Sequence, residues 1–216
     1  TFQQNKIIMS SHNIIGVAGG TAAGKTTIVS KLYDHYGKNT CVIIGQDSYY
    51  KDHNNLNFKQ RIMINYDHPN SIDIDLFHEN LVSLKNGQQI NKPTYDYKTH
   101  TRNTSFESIA PKKLIFVEGT LVLHFKRLVN LMLKKIFIYA PEKIRFDRRV
   151  ARDISERGRS IDSVLKQYKK TVYPMHKRFV EPSKSIADIN ISGENKMEQS
   201  VQKIITSIDS LLLKRK

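Results

Sequence analysis

Residues 16–27, with the sequence GVAGGTAAGKTT, decide the fold of this chain. From Gly19 to Thr26 they match the phosphate-loop pattern G-x-x-x-x-G-K-[ST]. An apolar run at 13–18 predicts a strand before the loop, and the spacing of Ile28 and Leu32 predicts a helix after it. Glycines let backbone N–H groups turn inward around phosphate oxygens, and the helix N-terminus adds partial positive charge. Lys25 is suited to bridge the β- and γ-phosphates. We therefore predict a nucleoside triphosphate site built from Gly19, Gly20, Thr21, Ala22, Ala23, Gly24, Lys25, Thr26 and Thr27.

The rest of the chain alternates apolar runs with amphipathic segments. Strands are predicted at 40–45, 113–119, 135–139 and 187–192, and helices at 25–36, 73–84, 142–157, 161–179 and 198–213. Residues 90–109 are polar and aromatic and predict a hairpin excursion. This alternation indicates an α/β fold of the P-loop NTPase type, a mostly parallel sheet with helices on both faces, plus the hairpin and a helical lid.

Length and composition favour one soluble domain. The chain has 216 residues, 39% of them hydrophobic and 25% charged, and no apolar run approaches the about 20 residues of a membrane span. Its single cysteine, Cys41, excludes an internal disulfide framework and fits a reducing cytosol. We interpret residues 1–13 as an N-terminal extension, leaving open a vector origin and a native start at Met9. Residues 14–216 then form one kinase domain, with the excursion at about 90–109 and the lid at about 149–168.

Two carboxylates stand at the ends of predicted strands. Asp47 follows CVIIGQ, and Glu118 follows LIFV. Ligands of open α/β sheets bind at the carboxyl ends of strands, so both acids are expected to face the phosphates. Glu118 has the position of an acid that binds Mg²⁺ together with Thr26, and Asp47 is placed to accept a proton from an attacking hydroxyl. The alternative that each acid only caps a loop stays open.

The formal net charge of +15 raises the question of a polynucleotide partner. The arginines cluster at 145–159, whereas the lysines are scattered, which favours small phosphorylated substrates over nucleic acid. Residues 91–94 read NKPT and lack the aspartate that pairs with guanine, which argues against a signalling GTPase. A motor or helicase would need a longer chain with more motifs.

Six segments together resemble the uridine/cytidine kinase family. They are GGTAAGKTT, QDSYY, NYDHPNSID, PTYDYKTHTR, FVEG and RDISERGRS, in this order, and the resemblance spans about residues 14–195. It implies transfer of the γ-phosphate of ATP or GTP, with Mg²⁺, to the 5′-hydroxyl of uridine or cytidine in pyrimidine salvage. It also implies a cytoplasmic homotetramer, with no nucleic-acid or membrane partner.

The resemblance assigns roles to particular residues. Asp47 would be the catalytic base and a Mg²⁺ ligand with Thr26 and Glu118. Asp67 would hold the ribose hydroxyls beside Arg149, and a carboxylate can accept both hydrogen bonds that a diol offers. The remaining nucleoside contacts would be Tyr50, Tyr95, Tyr97, His100 and Gln167, with Arg152, Arg157 and Arg159 closing over the phosphates.

Two rival functions stay open from the sequence. One is another small-molecule kinase, similar to phosphoribulokinase or pantothenate kinase, and the YDY-x-x-H segment argues against it because such substrates have no base edge to read. The other is a nucleic-acid-binding ATPase, suggested only by the net charge. The other histidines lack metal-ligand spacing and are expected at the surface: His12, His35, His53, His78, His124 and His176.

Overall fold

The computed structural model describes residues 12–213, so the predicted extension is outside it up to residue 11. The strands are β1 (Asn13–Gly19), β2 (Cys41–Gly45), β3 (Ile90–Asp96), β4 (Thr101–Ile109), β5 (Leu114–Gly119), β6 (Met132–Tyr139) and β7 (Ile189–Ser192). Five of them form a parallel sheet in the order β2-β5-β1-β6-β7. Asn13 already belongs to β1, so the folded part begins before the predicted boundary at residue 14.

The helices connect the strands and cover both faces of the sheet. They are α1 (Lys25–Tyr36), α2 (Phe58–Arg61), α3 (Ile74–Lys85), α4 (Lys126–Val129), α5 (Glu142–Ser155), α6 (Ile161–Gln167), α7 (Tyr173–Met175) and α8 (Met197–Leu213). None of those in the described part of the chain is long and apolar enough to cross a membrane.

Alternation along the central strands creates two apolar layers. In β1, Ile14 points into one layer and Ile15 into the other, as a side-chain period of two requires. The first layer packs against α3 through residues such as Phe77 and Leu81, and the second packs against α1 and α8 through residues such as Leu32 and Ile204. A fully buried side chain of this kind stabilises the fold by about 1.5–3 kcal/mol. The predicted α/β fold with helices on both faces is confirmed.

The register of the sheet brings three strand ends to one edge. Val17 in β1 and Gly45 in β2 both pair with Glu118 in β5. The phosphate loop follows β1, and a 3₁₀ turn over Gln46–Tyr49 follows β2. Asp47, Glu118 and the loop therefore lie at the same carboxyl edge, as predicted from the sequence.

The predicted excursion is an antiparallel hairpin of β3 and β4. Arg102 of β4 ties it to the chain that follows β2: its Nε donates to the Tyr50 carbonyl at 2.8 Å, and its Nη2 donates to Asp73 at 3.0 Å. The hairpin tip is thereby held over the carboxyl edge of the sheet.

The lid segment is less regular than the sequence predicted. The break at Gly158 is present, with φ of 62° in the left-handed region. The predicted helix 161–179, however, contains π-helical turns at Tyr168–Val172 and His176–Val180, and a 3₁₀ turn over Glu181–Ile186 follows. Pro174 lies between the two π turns and has no N–H to donate to the preceding turn, so the helix widens around it.

Candidate active site

The phosphate loop has the geometry that its sequence predicts. Gly19 and Gly24 have φ of 151° and 101°, and Ala22 has φ of 54°. A side chain at Gly19 would place its Cβ 2.1 Å from the Ile138 carbonyl oxygen, so only glycine fits there. No side chain caps the first turn of α1, which leaves its N–H groups available to an anion. The buried Lys25 spans the loop, with Nζ 3.0 Å from the Gly20 carbonyl oxygen.

Two carboxylates and one hydroxyl stand beside Lys25. The Thr26 hydroxyl donates to Glu118, at 3.1 Å from Oε2 and 3.3 Å from Oε1. Burial raises the pKa of Asp47 and the pKa of Glu118, and the charge of Lys25 opposes both shifts. Burial likewise lowers the pKa of Lys25, opposed by Glu118 and Asp47. The protonation states of Lys25, Asp47 and Glu118 are therefore coupled.

These oxygens fit a hard divalent cation. Within residues 12–213 no group of three or more His, Cys, Asp and Glu side chains is placed to hold a metal ion. Asp47, Glu118 and Thr26 supply only two carboxylates and a hydroxyl. Such a small set of oxygens suits Mg²⁺, because Mg²⁺ usually completes its coordination with water and substrate phosphates.

The arginines of the lid segment converge on one carboxylate. Asp153 is completely buried, and Arg152 donates to its Oδ1 through Nε at 3.1 Å and through Nη2 at 2.9 Å. Three other guanidinium groups lie 3.4–3.5 Å from the same carboxylate, those of Arg149, Arg157 and Arg159. Four positive charges thus share one negative charge. The sequence analysis missed Asp153, although its separation of four residues from Arg149 and from Arg157 was a usable signal.

Arg149 also connects the lid segment to the phosphate loop. Its Nη1 donates to the Thr21 hydroxyl at 3.0 Å, and its Nη2 donates to Gln167 Oε1 at 3.1 Å. Arg159 donates to the same oxygen of Gln167. The Gln167 oxygen therefore holds two arginines together here.

Asp67 is connected to this network through Thr171. Its Oδ2 accepts a hydrogen bond from the Thr171 hydroxyl at 2.8 Å. Burial raises its pKa, and Thr171 and the nearby Arg149 oppose that shift. The structure thus brings Asp67 and Arg149 together as the resemblance implies, and it adds Thr171, which the sequence analysis missed.

An aromatic cluster joins the hairpin to the residues after β2. The rings of Tyr50 and Tyr95 lie 5.1 Å apart, and His100 stacks on Tyr66 at 4.9 Å with 16° between the planes. Tyr66 had no role in the sequence analysis, because only the fold places it under His100. The Tyr95 hydroxyl is buried and, among the described residues, has no hydrogen-bond partner of ordinary geometry. Burial lowers the pKa of His100, so its ring is neutral at pH 7.

Tyr97 links this cluster to the phosphate end of the cleft. Its ring is half exposed, and Arg157 lies over it at 6.0 Å. Burial and the neighbouring Asp47 carboxylate raise the pKa of its hydroxyl. Tyr97, which was predicted to stack near the pyrimidine ring, therefore interacts with Asp47, the predicted catalytic base.

Two further side chains lie against the phosphate loop. A Cβ on Gly20 would be 2.7 Å from Nη1 of Arg145 and 3.0 Å from Cε1 of His176. His176 was expected at the surface but is half-buried, as are His12, His53 and His78; of the six, only His35 and His124 are exposed. His176 begins the second π turn, a local irregularity that the sequence pattern could not indicate.

Similar sequences come from bacteria. The uridine kinase of Halalkalibacterium halodurans is 45% identical over 199 residues, covering 92% of this chain and 94% of that protein. Those of Clostridium novyi and Bacillus subtilis are each 43% identical, covering 94% and 92% of this chain and 98% and 94% of their own lengths.

Solved structures share the fold at low sequence identity. Phosphoribulokinase from Rhodobacter spheroides has a TM-score of 0.63 and 16% identity, over 86% of this chain and 74% of that one. D-glycerate 3-kinase from Cryptococcus neoformans has a TM-score of 0.54 and 14% identity, over 80% of each chain. The model of the phosphoribulokinase/uridine kinase family matches residues 14–199, from β1 to the start of α8. The chain therefore belongs to the phosphoribulokinase/uridine kinase family.

Proposed function

We propose that this protein is a uridine/cytidine kinase, which transfers the γ-phosphate of ATP or GTP to the 5′-hydroxyl of uridine or cytidine and gives UMP or CMP. One observation carries the proposal: the carboxylate of Asp47 interacts both with Lys25 of the phosphate loop and with the Tyr97 hydroxyl of the aromatic hairpin. An acceptor held by the hairpin would present its hydroxyl at Asp47, next to the donor phosphates.

Asp47 is the proposed base of the transfer step. As the 5′-oxygen bonds to the γ-phosphorus, the bond from that phosphorus to the β–γ bridging oxygen breaks, and the nucleoside diphosphate leaves. Asp47 takes the proton of the 5′-hydroxyl. Its raised pKa brings it closer to the operating pH, which favours proton acceptance. Lys25 compensates charge on the phosphates.

Thr26, Asp47 and Glu118 would hold Mg²⁺ with the donor phosphates. Support comes from the Thr26 hydroxyl, which lies within 3.3 Å of both Glu118 oxygens. When bound, Mg²⁺ neutralises charge on the transferring phosphate.

The nucleoside would lie between Asp67 and the aromatic cluster. Asp67 can accept hydrogen bonds from both ribose hydroxyls, with Arg149 beside it and Tyr50 lining the pocket. Neutral His100 has one donor and one acceptor nitrogen, and the buried Tyr95 hydroxyl can act as either. Because uracil and cytosine exchange donor and acceptor at this edge, both bases can be satisfied.

On closure the lid arginines would reach the phosphates while Asp153 keeps their guanidinium groups together. Arg152 and Arg157 already contribute to the electrostatic field at Asp47. Arg159 is more distant, because it contacts Asp153, Gln167 and Ser163. A closed lid would exclude water, so that hydrolysis does not compete with transfer.

A substrate panel tests the proposal. Uridine, cytidine, deoxyuridine, adenosine, pantothenate and ribulose 5-phosphate would each be tried with ATP and GTP as donors. We expect uridine and cytidine to be phosphorylated within about tenfold of each other in kcat/KM, because neither leaves a buried group unpaired. Preferred turnover of pantothenate or ribulose 5-phosphate would contradict the assignment.

The pocket is tested separately with His100→Ala, using the exposed His35→Ala as the matched control. His100→Ala should raise the KM for uridine and weaken selection against adenosine, while His35→Ala should leave both unchanged. An unchanged base preference in His100→Ala would remove His100 from the pocket.

The proposed function also suggests a metabolic role, a location and an oligomeric state. Pyrimidine salvage, a cytoplasmic location and a homotetramer are what the uridine/cytidine kinase resemblance implies. Light scattering on the purified protein measures the assembly directly.

A further inference from the structure

Arg145 is a buried cation without an acidic partner in the described part of the chain. It lies in the first turn of α5 and is 4% exposed. Its Nε donates to the Ala140 carbonyl at 3.1 Å, but Nη1 is buried and has no hydrogen-bond partner. No carboxylate of residues 12–213 lies within ion-pair distance of it, whereas the four arginines further along share Asp153.

The unpaired end of Arg145 is directed at the phosphate loop. Nη1 would be 2.7 Å from a Cβ on Gly20, and the Gly20 carbonyl oxygen accepts the hydrogen bond from Lys25. The charge of Arg145 also contributes to the lowered pKa of Lys25. The two cations therefore flank Gly20.

The neighbouring groups do not neutralise this charge. Burial, and then the charge of Arg145, lower the pKa of His176 to about 4, so its ring is neutral at pH 7. Its Nδ1 is buried and unpaired as well. Glu181 of that segment senses the charge of Arg145 but does not form an ion pair with it; its ion pair is with Lys177, at 2.8 Å. A buried charge without a counter-charge is costly, so its retention calls for an anion that arrives later.

We infer that Arg145 is a positioning residue for the donor nucleotide: it acts through the phosphate loop as a fixed counter-charge to the bound triphosphate. This rests on the proposed function only in taking the loop as the donor site. A side chain at Gly20 would displace the guanidinium group from this position. Arg145 would thus act on the donor phosphates in addition to the phosphate loop and the lid arginines.

The test compares Arg145→Met, Arg145→Gln and Arg145→Lys with the exposed Lys143→Met, which removes a positive charge from the same helix. Titration calorimetry with ATP and ADP should show about tenfold weaker binding for the two neutral variants, the scale of a screened charge interaction over a few ångströms. Arg145→Lys should keep most of the affinity, and Lys143→Met should bind like the parent. The KM for uridine should change less than twofold in all four.

Thermal unfolding separates this role from a structural one. Because the buried charge is uncompensated without nucleotide, unliganded Arg145→Met should melt at or above the parent temperature while gaining less from added ATP. Arg145→Gln provides a second neutral variant whose amide can still donate to the Ala140 carbonyl. Parent-like ATP affinity in the neutral variants would overturn the inference, and so would parallel losses of melting temperature, uridine binding and ATP binding. Since nucleotide binding is measured directly, the result is independent of whether uridine is the acceptor.

Discussion

At the scale of single residues, Asp47 stands out because its surroundings disfavour its charge. Burial raises its pKa, and the nearby cations Lys25, Arg157 and Arg152 oppose that shift together with a hydrogen bond from Tyr50. Asp47→Asn keeps the shape and removes the proton acceptor, so kcat should fall about 100-fold or more. Steady-state kinetics with uridine and calorimetry with ADP measure the two effects, and ADP binding should persist.

The matched control is Asp52→Asn, the same substitution at an exposed position five residues later. It should retain parent activity. Parent-like turnover in Asp47→Asn would mean that another group accepts the proton.

The same pKa shift has a consequence for stability. A carboxyl whose pKa is raised in the folded state binds protons more readily there than in the unfolded state, so the free energy of unfolding falls as pH rises above the ordinary value of 3.8. At pH 7, Asp47→Asn should therefore be more stable than the parent, and the difference should shrink as pH falls towards 4. Urea unfolding at several pH values measures this, and a variant less stable than the parent at pH 7 would contradict it.

At the scale of elements, the lid segment depends on Asp153. Removing its charge leaves four guanidinium groups without their shared counter-charge. Asp153→Asn should lower the free energy of unfolding by about 3 kcal/mol, the usual result of breaking a buried pair. Turnover should fall about tenfold, because the lid arginines lose their common anchor.

A double-mutant cycle shows whether Asp153 acts through the arginines. In an Arg157→Ala background, Asp153→Asn should cost clearly less turnover than in the parent. Additive losses would separate Asp153 from that arginine, and Asp147→Asn on the exposed face of α5 serves as the control.

The elements predicted from the sequence are those with a local signal. Buried parallel strands appear as continuous apolar runs, so β1, β2 and β5 were predicted to within a residue or two. The phosphate loop and the two strand-end acids were predictable because position after a strand determines which edge they occupy. The site roles derived from the resemblance remain predictions.

The features that the sequence did not predict depend on contacts between distant segments. Asp153 gains its contact with Arg159 only through the left-handed turn at Gly158, which lies between the two residues. His100 meets Tyr66 only when the hairpin packs over the chain after β2. The π turns arise where Pro174 removes one backbone donor, and no periodicity marks them in advance.

At the scale of the whole molecule, the phosphate loop, the lid and the nucleoside side of the cleft form one connected network. Arg149 contacts Thr21 of the loop, Gln167 of the lid and Asp153, and it contributes to the field at Asp67. Binding at one end can therefore affect side chains at the other through a few hydrogen bonds and ion pairs.

The net charge of +15 leads to the last prediction. The arginines that could contact phosphate are gathered at one cleft around Asp153, where they suit a triphosphate better than an extended polyanion. Turnover of ATP with saturating uridine should therefore not rise when single-stranded RNA or DNA is added. Without uridine, polynucleotide should not induce ATP hydrolysis. The KM for ATP should rise with salt, but far less steeply than binding of a polynucleotide, whose affinity changes with a logarithmic slope of about 0.7–0.9 for each phosphate contacted. A coupled ADP assay at several salt concentrations measures all three quantities. Polynucleotide-stimulated hydrolysis with a steep salt dependence would instead support a nucleic-acid-binding ATPase, and uridine-dependent ADP release unaffected by polynucleotide would argue against a polynucleotide partner.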